Sequence, residues 1–214
     1  MDLNFRSIRQ DYNKKGLTGK DIPSNPFLLF EQWLNEAVEA EVNEPTAMVI
    51  ATVGENNSPS TRTVLLKELR ENEFVFYTNY SSRKGQQLDR NSSISLTFIW
   101  HELERQIHIE GEANKIAAKI SDEYFYSRPR ESQIGARVSK QSRPIENREE
   151  LMNALKRESD KWRNHKIDRP QHWGGYSVKA NRIEFWQGRP SRLHDRFVFE
   201  KMDDNQWTKT RLAP

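Results

Sequence analysis

The sequence predicts a mainly β domain with flanking α-helices, built as an antiparallel barrel or sandwich. Three observations carry that expectation. Five short β-rich runs crowd between residues 46 and 116, with links too short for a doubly wound sheet. An amphipathic helix precedes them. After Pro170 the β pattern resumes in too few strands to build a separate core, so those strands complete the same sheet.

In chain order, residues 1–25 are polar, contain Gly16, Gly19 and Pro23, and read as a mobile leader ahead of one domain spanning 26–214. Within the leader, Arg9 and Tyr12 stand three apart, the spacing of one helical turn. Asn25 then caps a helix with Pro26 in its first position, and Phe27, Phe30, Leu34 and Val38 recur at three-to-four spacing. The predicted strands are 46–53, 60–66, 73–78, 93–100 and 105–116, separated by turn-forming runs at Gly54 to Asn57 and Glu71–Asn72. A helix is predicted over 117–126, with Pro129 interrupting it. Asn147 and Glu150 have the spacing of a capping box for a helix to Trp162. Strands at 175–178, 182–187, 193–201 and 207–212 close the pattern.

Composition narrows the function classes. The 214 residues suit one sizeable domain, and 30% are charged. No apolar run approaches membrane length and no signal-peptide core is evident, so the cytoplasm is the expected compartment. Zero cysteines exclude disulfides, thiolate metal sites and a cysteine nucleophile. A formal charge of +3 without a Lys/Arg run favours small phosphorylated ligands over nucleic acid. The five histidines lack metal-ligand spacing, and His108, between Ile107 and Ile109, reads as a sheet-face residue. Neither a P-loop nor a Gly-x-Ser-x-Gly elbow is present.

Several stretches do carry chemistry. Around a turn at Gly188 to Ser191, Arg192, His194 and Arg196 alternate on one face of a predicted strand. They either guard an exposed edge or meet an anion, with Trp186 offering a ring nearby. Arg62 and Lys67 bracket an apolar run, but their odd separation puts them on opposite strand faces, so one ligand reaches both only through a bulge or the strand ends. The run Tyr77 to Gly85 passes from strand hydroxyls into a helix that begins with Arg83 and Lys84, a plausible phosphate cradle. Tyr124, Arg128 and Ser132 are four apart; Pro129 breaks the regular helix, and two abutting helices would still converge them. Gln141 and Ser142 add polar donors from a loop.

Taken together, these strings resemble the pyridoxine/pyridoxamine 5′-phosphate oxidase family. The likeness rests on Arg62 to Lys67, Tyr77 to Lys84, Ser127 to Gly135, Ser139 to Ser142, Trp173 to Tyr176, Ile183 to Gly188, Arg192 to Arg196 and Arg211 to Pro214, and it runs from about Arg9 to Pro214. It implies an FMN-binding split β-barrel and a homodimer with FMN at the subunit interface. By the same resemblance, FMN would meet Arg62, Thr63, Val64, Leu65, Leu66, Lys67, Tyr77, Thr78, Arg83, Lys84, Gln106, Gln141, Ser142, Trp186 and Arg196. The substrate phosphate would meet Lys67, Tyr124, Arg128 and Ser132. Arg192 and His194 would act at the pyridine ring, with Arg9 and Tyr12 closing over it. The implied reaction is oxidation of pyridoxamine or pyridoxine 5′-phosphate to pyridoxal 5′-phosphate, with dioxygen as acceptor and hydrogen peroxide as product. A flavin reductase on the same scaffold and a non-catalytic flavin or pyridoxal phosphate carrier are the rival readings.

Overall fold

The computed structural model describes residues 11–14, 16–20 and 22–214. Five α-helices and nine strands are found among them, the strands pairing in the order β2-β1-β5-β6-β7-β4-β3, with β8 on β7 and β9 on β8. The chain divides into two compact units. One holds the residues up to 49, with 95–110 and 180–214; the other holds 50–94 and 111–179.

In the first unit, α1 (Pro26–Glu39) begins where Asn25 Oδ1 accepts the Phe27 amide at 3.0 Å. Its buried face is Pro26, Phe27, Leu29, Phe30, Trp33 and Ala37. Val38, expected on that face, points outward at 56% exposure because the buried stripe runs through 26, 30, 33 and 37. Phe30 packs edge-on to Phe98 of β5 (Ser93–Trp100), and Trp33 packs on Phe185. Each such ring contributes about 1.5–3 kcal/mol by burial. β6 (Arg105–Lys115) supplies buried Ile107 and Ile109, with His108 between them half-exposed beside Glu110.

β8 (Asp195–Lys201) pairs antiparallel with the second half of β7 (Trp173–Gln187), placing Trp186 opposite Arg196. β9 (Trp207–Leu212) pairs with β8. The structure differs from two expectations. Strands predicted at 175–178 and 182–187 are one continuous β7, which pairs with β4 up to Lys179 and with β8 from Arg182. Arg192 and His194 are not on a strand: Pro190–Arg192 forms a 3-10 turn, with Ser191 and Arg192 at φ 57° and 61°, and β8 starts only at Asp195.

In the second unit, which begins at Ile50 within β1 (Ala47–Val53), β2 (Pro59–Leu65) leads to a short strand the sequence does not mark, β3 (Glu68–Arg70). β3 pairs with β4 (Glu73–Asn79) across a turn in which Glu71 and Asn72 both take positive φ. β4 pairs with the first half of β7, setting Tyr77 opposite Gly175. α2 (Arg83–Arg90) starts at Ser82, whose hydroxyl accepts from the Gly85 amide. α3 (Ala118–Ser127) and α4 (Arg130–Val138) abut at Pro129, and Arg128 between them is extended at φ −75°, ψ 151°. α5 (Arg148–Trp162) is capped by Asn147, which accepts the Glu150 amide at 2.8 Å. The Glu150 carboxylate answers one residue earlier than a capping box requires, on the Glu146 amide. Phe125, Ile134, Ala136, Ile167 and Trp173 form the core that these helices share.

Candidate active site

A cavity of about 460 Å³ opens in the second unit. Thr63, Val64 and Leu65 of β2 line it, with Lys67 just past the strand end, where its amide donates to Val75 O. Leaving the strand at Leu65 frees Lys67 from the alternation that would have turned it away from its neighbours. Tyr77, Thr78 and Asn79 come from β4, Lys84 from α2, Tyr124 and Arg128 from α3 and its cap, and Ser132 from α4. Gly135 and Ala136 of α4, with Ser139, Gln141 and Trp173, complete the wall. Its cations are Lys67, Lys84 and Arg128, and no Asp or Glu is among the lining residues.

The aromatic side is a stack. Tyr77 lies on Tyr124 with centroids 3.9 Å apart, and Trp173 continues it at 5.5 Å from Tyr77. The Arg128 guanidinium sits over the Trp173 ring at 4.7 Å, yet its Nη1 is buried with no hydrogen-bond partner. A buried guanidinium nitrogen without an acceptor is costly unless a ligand provides one. Burial pulls the Arg128 pKa down, an effect partly offset by Tyr124. Burial likewise pushes the Tyr77 hydroxyl up to about 12 and the Tyr124 hydroxyl upward. Trp173 is absent from the residues predicted for the site, although it opens the Trp173 to Tyr176 string that carries the family resemblance.

Lys84 is buried, and its ammonium donates to Thr78 Oγ1 at 3.0 Å and Gln141 Oε1 at 2.8 Å. Burial, then the charge of Arg62, lowers its pKa to about 8. Arg62 itself faces inward, donating to Thr52, Ser60 and Gln87. Arg62, Leu66, Arg83 and Ser142 are not among the residues lining the cavity. Arg83 and Ser142 are exposed and Leu66 is buried.

The remaining predicted residues belong to the first unit. Trp186 and His194 are 4.6 Å apart, and Tyr12 meets both edge-on, at 5.7 and 5.4 Å. His194 Nδ1 accepts the Arg189 amide at 3.1 Å, which leaves the ring proton on Nε2. Burial and the adjacent Arg192 lower the His194 pKa, so the ring is neutral at physiological pH. Arg196 is held by Glu184 at 2.7 Å and by the Ala213 carbonyl at 3.0 Å. Glu184, itself buried, also accepts from Arg182. Gln106 is half-buried on β6. Arg9 lies outside the described residues.

Residues 34–165 match the family model described as pyridoxamine 5′-phosphate oxidase, and residues 173–214 match that of the pyridoxine 5′-phosphate oxidase C-terminal dimerisation region. The chain belongs to the pyridoxamine 5′-phosphate oxidase family. A pyridoxine/pyridoxamine 5′-phosphate oxidase of Bacteroides fragilis is 54% identical over 212 residues, covering 99% of this chain and 90% of that one. The Porphyromonas gingivalis enzyme of the same name is 52% identical over 214 residues, covering both chains entirely.

Among solved structures, PhzG from Burkholderia lata, in complex with tetrahydrophenazine-1-carboxylic acid, superimposes with a TM-score of 0.88 at 28% identity, over 96% of this chain and 100% of that one. A pyridoxamine 5′-phosphate oxidase-related, FMN-binding protein from Nostoc punctiforme gives 0.73 at 13% identity, over 92% and 100%, and so shares the fold. The mainly β split-barrel architecture expected from sequence is therefore the family fold. Within the described residues no helix is long and apolar enough to cross a membrane.

Proposed function

We propose that the protein is an FMN-dependent oxidase that converts pyridoxamine or pyridoxine 5′-phosphate to pyridoxal 5′-phosphate in the cytoplasm, using dioxygen and releasing hydrogen peroxide, with water consumed and ammonia released when the amine is the substrate. The single observation that carries the reading is the cavity with three cations, no carboxylate, and a buried Arg128 nitrogen without an acceptor. A phosphate monoester is the ligand that such a wall suits, because its oxygens satisfy guanidinium, ammonium and hydroxyl donors together. The whole-chain identity to oxidases of this name favours the same substrates.

The residues divide by chemistry. Lys67, Arg128, Tyr124 and Ser132 hold the substrate phosphate and so fix where the ring lies. Lys84, Thr78 and Gln141 suit the FMN phosphate and ribityl chain, with Arg62 and Arg83 adding positive field behind them. When bound, FMN would supply the two-electron acceptor that passes its electrons to dioxygen. We further read the chain as a homodimer, supported by the match of residues 173–214 to a dimerisation region. In that dimer Trp186, Arg192, His194 and Arg196 of one chain complete the cavity of the other. His194, neutral and carrying its proton on Nε2, donates to the substrate ring, while Arg192 stabilises charge near the reacting carbon.

One absorbance experiment tests the reading. The purified holoprotein should be yellow, bleach when pyridoxamine 5′-phosphate is added without oxygen, and recover in air with peroxide formed. A yellow protein that consumes reduced nicotinamide but ignores the vitamer would be a flavin reductase. A bound chromophore with no turnover at all would mark a carrier.

A further inference from the structure

We propose that Glu104 is a positioning residue that clasps the leader so that Tyr12 is held closed over Trp186 and His194; this rests on the reading of those rings as part of the oxidase site. Glu104 ends a 3-10 turn (His101–Leu103) in the left-handed region, at φ 55° and ψ 40°. Gly or Asn is the ordinary choice there, because a β-carbon makes that conformation costly. A glutamate kept at such a position invites the question of what its side chain does.

Its carboxylate reaches the leader. Oε1 accepts the Asn13 amide and Oε2 the Lys14 amide, each at 3.1 Å. Both oxygens are thus used on consecutive backbone N–H groups directly after Tyr12, and Glu104 has no Lys or Arg partner among the described ion pairs. The main chain of Glu104 is fixed in turn. Its carbonyl accepts the Gly188 amide at 2.7 Å and the Gln187 side chain at 3.2 Å. Gly188 is where the Tyr12 ring packs: a β-carbon there would fall 2.6 Å from Tyr12 Cδ1 and 3.0 Å from Glu104 Cβ. One residue therefore ties together the leader backbone, the end of β7 and the floor under the Tyr12 ring.

A second set of contacts holds the following residues. Arg189 Nη1 donates to the Lys14 carbonyl at 3.0 Å, and the Leu17 amide donates to Asp195 Oδ2 at 3.0 Å. These bonds sit further from Tyr12. The Asn13–Lys14 amides are the nearest attachment, so Glu104 sets the ring position and the later bonds set only the path of the chain. Charge-assisted bonds to backbone amides suit a clasp that opens and recloses, since both sides are solvent-accessible and rehydrate when parted.

The test uses the holoenzyme with Glu104→Gly, which removes the carboxylate while favouring the left-handed backbone, so that the turn itself is kept. Two readouts are taken: the rate of tryptic cleavage after Lys14, and the steady-state constants for pyridoxamine 5′-phosphate. If the closed leader falls to a tenth of the population, cleavage speeds up and KM rises about tenfold with kcat little changed. Adding Glu104→Gly to Tyr12→Ala should then raise KM no further. Cleavage at the wild-type rate overturns the proposal, and so does a KM effect that adds in full to that of Tyr12→Ala. Glu104→Asp, one methylene shorter, should fall between Glu104→Gly and wild type in cleavage rate. Cleavage needs no substrate, so it decides the role of Glu104 even if the wild-type protein proves inactive on the vitamer.

Discussion

The Lys84 ammonium donates to Gln141 Oε1 at 2.8 Å, and with Thr78 Oγ1 at 3.0 Å both of these acceptors are neutral. A buried cation on neutral partners holds its proton weakly, and its pKa sits at about 8. An anion placed beside it raises that pKa again, so binding FMN above pH 8 takes up a proton. Affinity is therefore full below about pH 8 and falls by about tenfold per unit above it, until the pKa of the bound form is passed. Titrating FMN into apoprotein by flavin fluorescence from about pH 7 to pH 9.5 checks this. Lys84→Arg should remove the inflection, and a flat wild-type profile would sink the assignment.

Arg128→Ala removes the guanidinium over Trp173 whose Nη1 lacks a partner. Losing a buried charge contact to phosphate costs on the order of 2–5 kcal/mol. KM for pyridoxamine 5′-phosphate should then rise by about thirtyfold or more. FMN content should stay near wild type, because Lys84 and Gln141 are untouched. An unchanged KM would remove Arg128 from the phosphate site.

Local features were legible from neighbouring residues, whereas convergence was legible only through the family resemblance. Asn25 and Asn147 announce their helices because capping is settled within four residues. The bounds of β5 and β9 follow from their own residue pattern in the same way. Lys67 and Arg128 lie 61 positions apart, and only the pairing of β4 with β7 and the packing of α3 bring them to one wall. The run Lys179 to Asn181 reads as a break, yet β7 continues through it while its partner changes from β4 to β8. Arg192 reads as a strand residue since nothing in Ser191 or Arg192 advertises positive φ; the hydrogen bond from the Arg189 amide to His194 closes that turn.

Gly85 is a case where close approach is required. A β-carbon there would lie 2.0 Å from the Tyr80 carbonyl oxygen and 2.5 Å from its carbon, both main-chain atoms that have no rotamer to change. Gly85→Ala should cost about 1–3 kcal/mol as overpacking. It should also shift Lys84, the preceding residue, off Thr78 and Gln141. Thermal melts together with FMN content read both effects. A melting point and flavin content equal to wild type would show that the turn after Tyr80 yields more easily than its geometry implies.

The assignment of Arg192 and His194 to the partner's cavity makes a sharper demand than any single variant. Arg192→Ala should keep its flavin but lose about a hundredfold or more in turnover, as removal of a charge-stabilising donor does. Arg128→Ala is impaired for a different reason, in the substrate phosphate. Co-expressed, the two variants form mixed dimers in which one composite site carries both substitutions and the other carries neither. With random assortment roughly a quarter of wild-type activity at low substrate returns, although each parent alone stays far below it. Recovery tracking the mixed-dimer fraction after separation by differential tags would confirm sharing between subunits. If the mixed dimers were no better than their parents, each chain would have to complete its own site.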